Sequence, residues 1–541
     1  MKKWLCLLLT LCILIGCAVG CGDEDGTGGG FRFPIDREPS ALDPQMATDD
    51  AAITVLCALF EGLTRLDENG KAIPAAADWT VSEDGCVYTF TLRDAHWNAN
   101  PTKGKEQPWD TPLPVTADDF LFAFQRLADP AIQSPLAEEL IGIVGAADVI
   151  AGKKPPEQLG VQATDDKTLT ITLSAPDDDF PAKMANSPFF PCHRGFFEAT
   201  AGRYGLEEAY LLTNGAFRLA AWNHNESLLL YKHEGYREAA SITPEAVRFV
   251  IGGGDHLTAL QAGDLSAAPL TAAQAAGANL TTVTLDDAVR CLWFNTSADP
   301  LAEGNLRRAL RDAIQWDSVD AYLAAAGEAI ATGYVPPAAT VDGSIYRQEE
   351  NALPRATNAT EATKSLQKAL SALYPDQSVT PSAVKLTLLA AEDTLSADVA
   401  RYILQSWQKN LGITVKLELV SETELARRVK NGQYQAALYT YTPSGLTATE
   451  NLAAFVSTAT DNLARLVDSK VDAAIATAKT SGAQQVSAAE QAVWAACPAI
   501  PIGFPCRYYG FSANVADIVV RPFGGGRYQA PLDFRRAKQY E

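Results

Sequence analysis

The chain is 541 residues long, with 47% hydrophobic and 20% charged side chains. That length exceeds what one hydrophobic core can serve, and that balance is not one of a disordered chain, so two or three packed lobes are expected. A formal net charge of −21 excludes nucleic acid as a partner, because a polyanion cannot release the counterions of a phosphate backbone, and it gives no attraction to an anionic membrane surface.

In chain order, Lys2 and Lys3 precede an apolar run from Trp4 to Ile15 that is too short to span a bilayer. Leu14-Ile15-Gly16-Cys17 and Ala18-Val19-Gly20-Cys21 follow, and both resemble a bacterial lipobox. A signal peptide over 1–20 is expected, with a lipid on Cys17 or Cys21. Cleavage near Gly20 without lipid is the alternative. The Gly-rich, acidic stretch 21–30 reads as a flexible, solvated tether. A protein so built works beside a membrane, outside the cytoplasm, without crossing it.

Phe31-Arg32-Phe33 reads as extended, and Ile53, Leu56, Leu59, Phe60 and Leu63 give Ala51 to Leu63 a helical stripe, with Asp49 and Asp50 at its dipole-favoured start. Asn69-Gly70 supplies a tight turn. Tyr88, Phe90 and Leu92 alternate with Val87, Thr89 and Thr91 as in a half-buried strand. Thr116 and Asp119 stand at capping-box spacing before the stripe of Phe120, Phe124 and Leu127. Further strands are expected at Leu169–Leu173, Leu228–Tyr231 and Val247–Ile251, and helices at Leu257–Ala262, Asn305–Ile314 and Glu361–Leu373. Val384–Leu389, Asp398–Asn410 and Ile413–Val420 spell strand, helix, strand, a βαβ unit with a parallel pair. Pro498–Phe504 reads as a buried strand.

Catalytic signatures are missing from this sequence. It holds no G-x-S-x-G elbow, no H-E-x-x-H and no P-loop, and its five histidines stand at no ligand spacing from one another. The acid pairs Asp118/Asp119 and Asp177 to Asp179 read as solvated helix starts or loops. Cys57, Cys86, Cys192, Cys291, Cys497 and Cys506 show no C-x-x-C spacing, so no metal and no cofactor is expected. Export permits disulfides, and buried free thiols fit their apolar neighbours equally well. An exported, multi-lobed chain of this kind points to ligand capture.

A run of ordered motifs then carries a resemblance from about residue 38 to 541. Ser40-Ala-Leu-Asp-Pro44, Leu59-Phe-Glu-Gly-Leu63, Asp84 to Arg93 with Trp97, Pro114 to Phe120, Gln125 to Pro130, Ile150 to Pro155, Asn214-Gly-Ala-Phe217, Leu260 to Asp264, Asn305 to Leu310 and Leu411-Gly-Ile413 follow one another as in the oligopeptide-binding family of ABC-importer solute receptors. The chain resembles that family, solute-binding protein family 5. The resemblance implies an α/β, two-lobed periplasmic-binding-protein-like fold of type II with an extra inserted domain. It implies lobe I at 31–73, 205–288 and 506–541, an inserted domain at 74–204 packed on lobe I, and lobe II at 289–505. It also implies a monomer that closes by hinge motion on a peptide ligand and delivers it to an ABC permease.

The same resemblance places Thr48, Asp49, Tyr439, Tyr441 and Ser444 along the cleft. Family members hold the peptide's amino terminus with an Asp inside a Trp-x-Ala-Asp-Tyr-like run. Here Tyr441 stands at the Trp and Ser444 at the Asp, and a basic residue for the peptide carboxylate would fall near Leu438. A Ser cannot pair with an ammonium, and losing a buried charge partner costs on the order of 2–5 kcal/mol. The ligand therefore has blocked or shifted ends, or acids such as Asp49, Asp50 or Glu450 supply the charge, or it is not a simple peptide. Tyr439 and Tyr441 serve either as stacking platforms or as plain strand packing. An exported hydrolase and a non-transport surface receptor or adhesin are the competing functional readings.

Overall fold

Period-two patterning builds the sheets that position the site. In the computed structural model, which describes residues 30–67, 70–99, 113–177, 179–341, 343–375, 377–443, 445–459, 461–479, 482–525 and 528–540, Phe31–Ile35 lies parallel to Ala246–Ile251. Ser227–Lys232 and Phe217–Asn223 extend that sheet as antiparallel strands. A second, antiparallel sheet sets Arg507–Phe511, near the C-terminus, between Ala267–Leu270 and Thr281–Leu285. Segments far apart in sequence thereby form one body.

An antiparallel sheet of Ala77–Val81, Val87–Leu92, Thr168–Thr172 and Val161–Asp165 makes the inserted domain. Tyr88, Phe90 and Leu92 point inward as their alternation requires. The Ala117–Ala128 helix lays Phe120, Phe124 and Leu127 on them, and this apolar core is continuous with that of the first sheet. The helix starts where the Thr116/Asp119 capping box predicts. Asp118 is exposed, but Asp119 is not the solvated acid expected. Its carboxylate is buried and accepts from the Thr116 N–H at 2.9 Å and the Trp97 indole N–H at 3.0 Å, and burial lifts it above the usual carboxylate range.

The second lobe holds a six-stranded mixed sheet in the order Ala329–Ile330, Ala499–Phe504, Val289–Phe294, Ala436–Tyr441, Leu386–Ala391 and Val415–Val420. Leu386–Ala391 and Val415–Val420 are parallel across the Thr394–Leu411 helix, the expected βαβ unit. Both faces are covered. Val289, Cys291 and Trp293 enter one core, and Leu292 and Phe294 enter the other.

The structure differs from the sequence reading at the end of the first helix, and the cause is not local. The first helix spans Asp50–Leu59 and does not reach Leu63. It ends because Phe60 turns extended and the Glu61 N–H donates to Asn214 Oδ1 at 3.0 Å, a partner 153 residues away that no local pattern announces. The six described cysteines are all free thiols. A charge is also buried inside the second lobe. Glu490, fully buried, accepts from the Tyr334 and Val335 N–H groups at 2.6 and 3.1 Å and from Arg347 Nη2 at 2.6 Å. Among the described residues no helix is long and apolar enough to cross a membrane.

Breaking a buried, multiply bonded ion pair leaves its partner uncompensated, which costs about 3–5 kcal/mol. Glu490→Ala is therefore expected to lower stability in guanidinium titrations by that amount. Glu424→Ala, at the exposed Arg427 pair, is expected to change it by less than about 1 kcal/mol.

Candidate functional site: the cleft between the lobes

The chain passes from the three-stranded sheet to the six-stranded sheet at residues 286–288 and back at 505–506. The Asp287 carboxylate, wholly buried, joins the two passages. It accepts from Arg507 Nε at 2.8 Å and from Arg507 Nη2, and it also takes the Phe523 N–H at 2.6 Å. The Phe523 side chain sits in the second lobe's core, so a third segment is fastened to the same carboxylate. Beside it Cys506 Sγ donates to Asp286 Oδ1 at 3.0 Å. Burial, and then this contact, push its thiol up to about 11.

The first-lobe wall is the 43–50 loop and the helix that follows. Buried Arg126 pins the loop, donating to Asp43 Oδ2 at 2.7 Å and Gln45 Oε1 at 2.6 Å, while the Gln45 amide donates to the Pro188 and Phe190 carbonyls at 3.0 Å. Asp49 is the helix N-cap: its carboxylate accepts from the Ala52 N–H at 2.8 Å and from the Ser40 hydroxyl at 3.2 Å. Thr48 and Asp50 are exposed.

The second-lobe wall is the end of Ala436–Tyr441. Tyr439 and Tyr441 leave one face of this strand half-buried, and Leu438 leaves the other, deep in the core. Position 438 therefore faces away from the cleft, where no side chain could meet a ligand carboxylate. Trp293 donates its indole N–H to the Tyr439 carbonyl at 3.1 Å and meets the Tyr441 ring edge-on, centroids 5.8 Å apart. The Tyr441 hydroxyl donates to Asp461 Oδ2 at 2.8 Å. On one side the strand pairs with Val289–Phe294 through Tyr441. On the other its ladder to Leu386–Ala391 ends at Leu438, so among the described residues no strand covers 439–441 there.

The walls meet. A Cβ at Gly70, in the first-lobe hairpin turn, would overlap the Leu446 side chain of the second lobe. Burial, then Glu422 and then Asp50 across the cleft, push the Tyr439 phenol up.

The family model for bacterial extracellular solute-binding proteins, family 5 Middle, matches residues 73–462. The chain belongs to family 5 of the bacterial extracellular solute-binding proteins. Among its relatives, the periplasmic murein peptide-binding protein MppA of Escherichia coli is 31% identical over 71% of this chain and 70% of its own length. The oligopeptide-binding protein OppA of Bacillus subtilis is 28% identical over 77% of each. The substrate-binding domain of an oligopeptide ABC transporter from Bacillus anthracis superposes with a TM-score of 0.73 at 25% identity, over 94% of this chain and 98% of that one. The E. coli MppA structure gives 0.72 at 26% identity, over 94% and 99%, and an unliganded open form of MppA gives 0.68 at 26%, over 95% and 99%.

In this family-5 chain the sequence-expected site residues separate by what already holds them. Tyr439 and Tyr441 lie on one strand, and Thr48 and Asp49 directly precede the Asp50–Leu59 helix. The Asp49 carboxylate is occupied as a cap, and Glu450 is occupied in the Thr447 capping box. Ser444, Cys17 and Cys21 lie outside the described residues. Asp287 and Arg507 were not anticipated. The Asp286-Asp287 doublet before an apolar strand was a signal, but its partner lies 220 residues on.

The two tyrosines are expected to respond differently to loss of the hydroxyl. Tyr441→Phe removes a hydrogen bond to a carboxylate and is expected to cost about 1.5–3 kcal/mol in urea denaturation. Tyr439→Phe, whose hydroxyl has no hydrogen-bond partner among the described residues, is expected to stay within about 0.5 kcal/mol of the parent.

Proposed function

We propose that this family-5 solute-binding protein captures oligopeptides between its two lobes, leaves them chemically intact, and hands them to an ABC permease. The single observation that carries the peptide reading is the strand end at 439–441, which among the described residues has no paired strand on one side. An extended peptide laid along that edge adds a strand, and main-chain hydrogen bonds then give affinity without demanding a side-chain sequence. The names of the relatives agree, since those of B. subtilis and E. coli are an oligopeptide-binding and a murein peptide-binding protein.

On this reading lobe I comprises 31–73, 205–288 and 506–541, the inserted domain 74–204, and lobe II 289–505. Both passages then fall where Asp287 and Arg507 join them. A lipid on Cys17 or Cys21 holds a monomer near its permease, and the 21–30 tether lets it reach. Closure over the ligand, a hinge motion of two lobes about short connections, makes the surface that docks.

Native mass spectrometry of protein purified without unfolding tests the capture. Mass excess matching a series of peptides, released intact on denaturation, is expected. A bare protein that gives no heat on titration with a peptide pool, or that cleaves the pool, contradicts it.

A further inference from the structure

A cavity of about 70 Å³ lies between the end of the first helix and the C-terminal segment, and its wall includes Glu61, Arg65, Tyr236, Arg521, Asp533 and Arg535. Most of the charges around it are matched. Arg237 forks onto Glu61, with Nη2 2.8 Å from Oε1, and the Tyr236 hydroxyl donates to the same oxygen at 2.6 Å. Arg65 Nη1 donates to Glu238 Oε2 at 2.7 Å. Asp533 differs, because it serves two guanidiniums at once. Arg535 Nε donates to its Oδ1 at 2.9 Å, and Arg521 Nη2 donates to its Oδ2 at 3.0 Å. Burial would raise the Asp533 carboxyl, but Arg535 and then Arg521 hold it well below the usual carboxylate range. One negative charge therefore faces two guanidiniums that cannot lose their protons. Among the described residues this cluster keeps one positive charge without a carboxylate.

Unpartnered donors belong to the same wall. Arg521 is 8% exposed. Its Nε and Nη2 are taken by the Asp67 and Leu66 carbonyls and by Asp533, while its Nη1 has no partner among the described residues. That nitrogen is not one of the sealed, unpartnered atoms such as Arg126 Nε, so it meets open space. Arg535 Nη1 and Arg65 Nη2 are in the same state. The Arg65 and Arg535 side chains are 25% and 27% exposed, so the cavity is not closed to an entering ion. A buried charge with open donors is costly until an opposite charge meets it.

We propose that this cavity binds one small monovalent anion, a halide or a single carboxylate, between the Arg65, Arg521 and Arg535 guanidiniums. Its volume is roughly twice the ~30 Å³ that one water takes in the liquid, which limits the guest to a few heavy atoms. The surplus of one positive charge sets the guest's charge, since a dianion would leave a negative charge buried and unmatched. Guanidinium N–H groups make charge-assisted bonds to such an anion, and their fork fits a carboxylate in particular. The three donors come from the Thr64–Leu66 hairpin strand and from the segment 521–535. The anion therefore fastens the C-terminal segment to the hairpin, two residues before the Phe523 N–H reaches Asp287.

None of the lining residues belongs to the 439–441 strand edge, so the test does not depend on the peptide reading. The full chain is melted in sodium gluconate, whose anion is too large for the cavity, while chloride or acetate replaces it at constant ionic strength. At least one of the two is expected to give a saturable rise in Tm of about 1–3 °C. The anion that acts at the lower concentration identifies the guest as halide or carboxylate. Arg65→Gln removes the surplus charge and is expected to raise the concentration needed by at least about ten-fold. Glu238→Gln adds to the surplus and is expected to lower it. Broadening of the chloride NMR line by the folded parent, reversed by acetate, reads the same site without unfolding and without a variant. No saturable rise and no line broadening in the parent overturns the site. A rise that Arg65→Gln and Glu238→Gln both leave unchanged also overturns it, as does one that only tracks ionic strength.

Discussion

One buried carboxylate holds the architecture together. Asp287 has no solvent contact and takes donors from Arg507 and from the Phe523 main chain. The three segments it joins are the two passages between the lobes and the C-terminal segment that sends Phe523 into the second core. A buried anion is tolerated only when its lone pairs are filled, so these segments cannot drift independently. The lobes can rotate about the passages, but the register of one wall against the other is fixed.

The cleft divides its tasks between main chain and side chain. The strand end at 439–441 offers hydrogen bonds that any extended peptide can satisfy, and so supplies affinity with little preference for sequence. Selection then falls to the few groups that are not already spent. Most polar side chains on the walls are occupied structurally, as caps, as pins for the 43–50 loop, or as partners of one another. Carboxylates and hydroxyls tied into caps and pairs hold their own wall in shape.

How much of this was legible in the sequence depended on the range of the interaction. The capping box at Thr116, the alternation of Tyr88, Phe90 and Leu92, and the βαβ unit from residue 386 to 420 are decided within a few residues, and the structure has them where the pattern put them. The first helix ended early because its terminus is set by Asn214, far along the chain. The burial of Asp119 depended on Trp97, and the facing of Leu438 depended on which side of a two-faced sheet became core. The cleft tyrosines were recognisable from the family's motif, but their different states were not. Tyr441 is held by Asp461, a bond that a strand pattern cannot foresee.

The central claim is that two lobes, joined at Asp287, close on a peptide. Small-angle X-ray scattering of the purified protein, first stripped of cargo and then titrated with the peptides it released, tests this most directly. The account predicts a saturable fall in the radius of gyration as peptide is added. Scattering curves that stay superimposable from empty to saturated protein, with binding verified in the same samples, would contradict it.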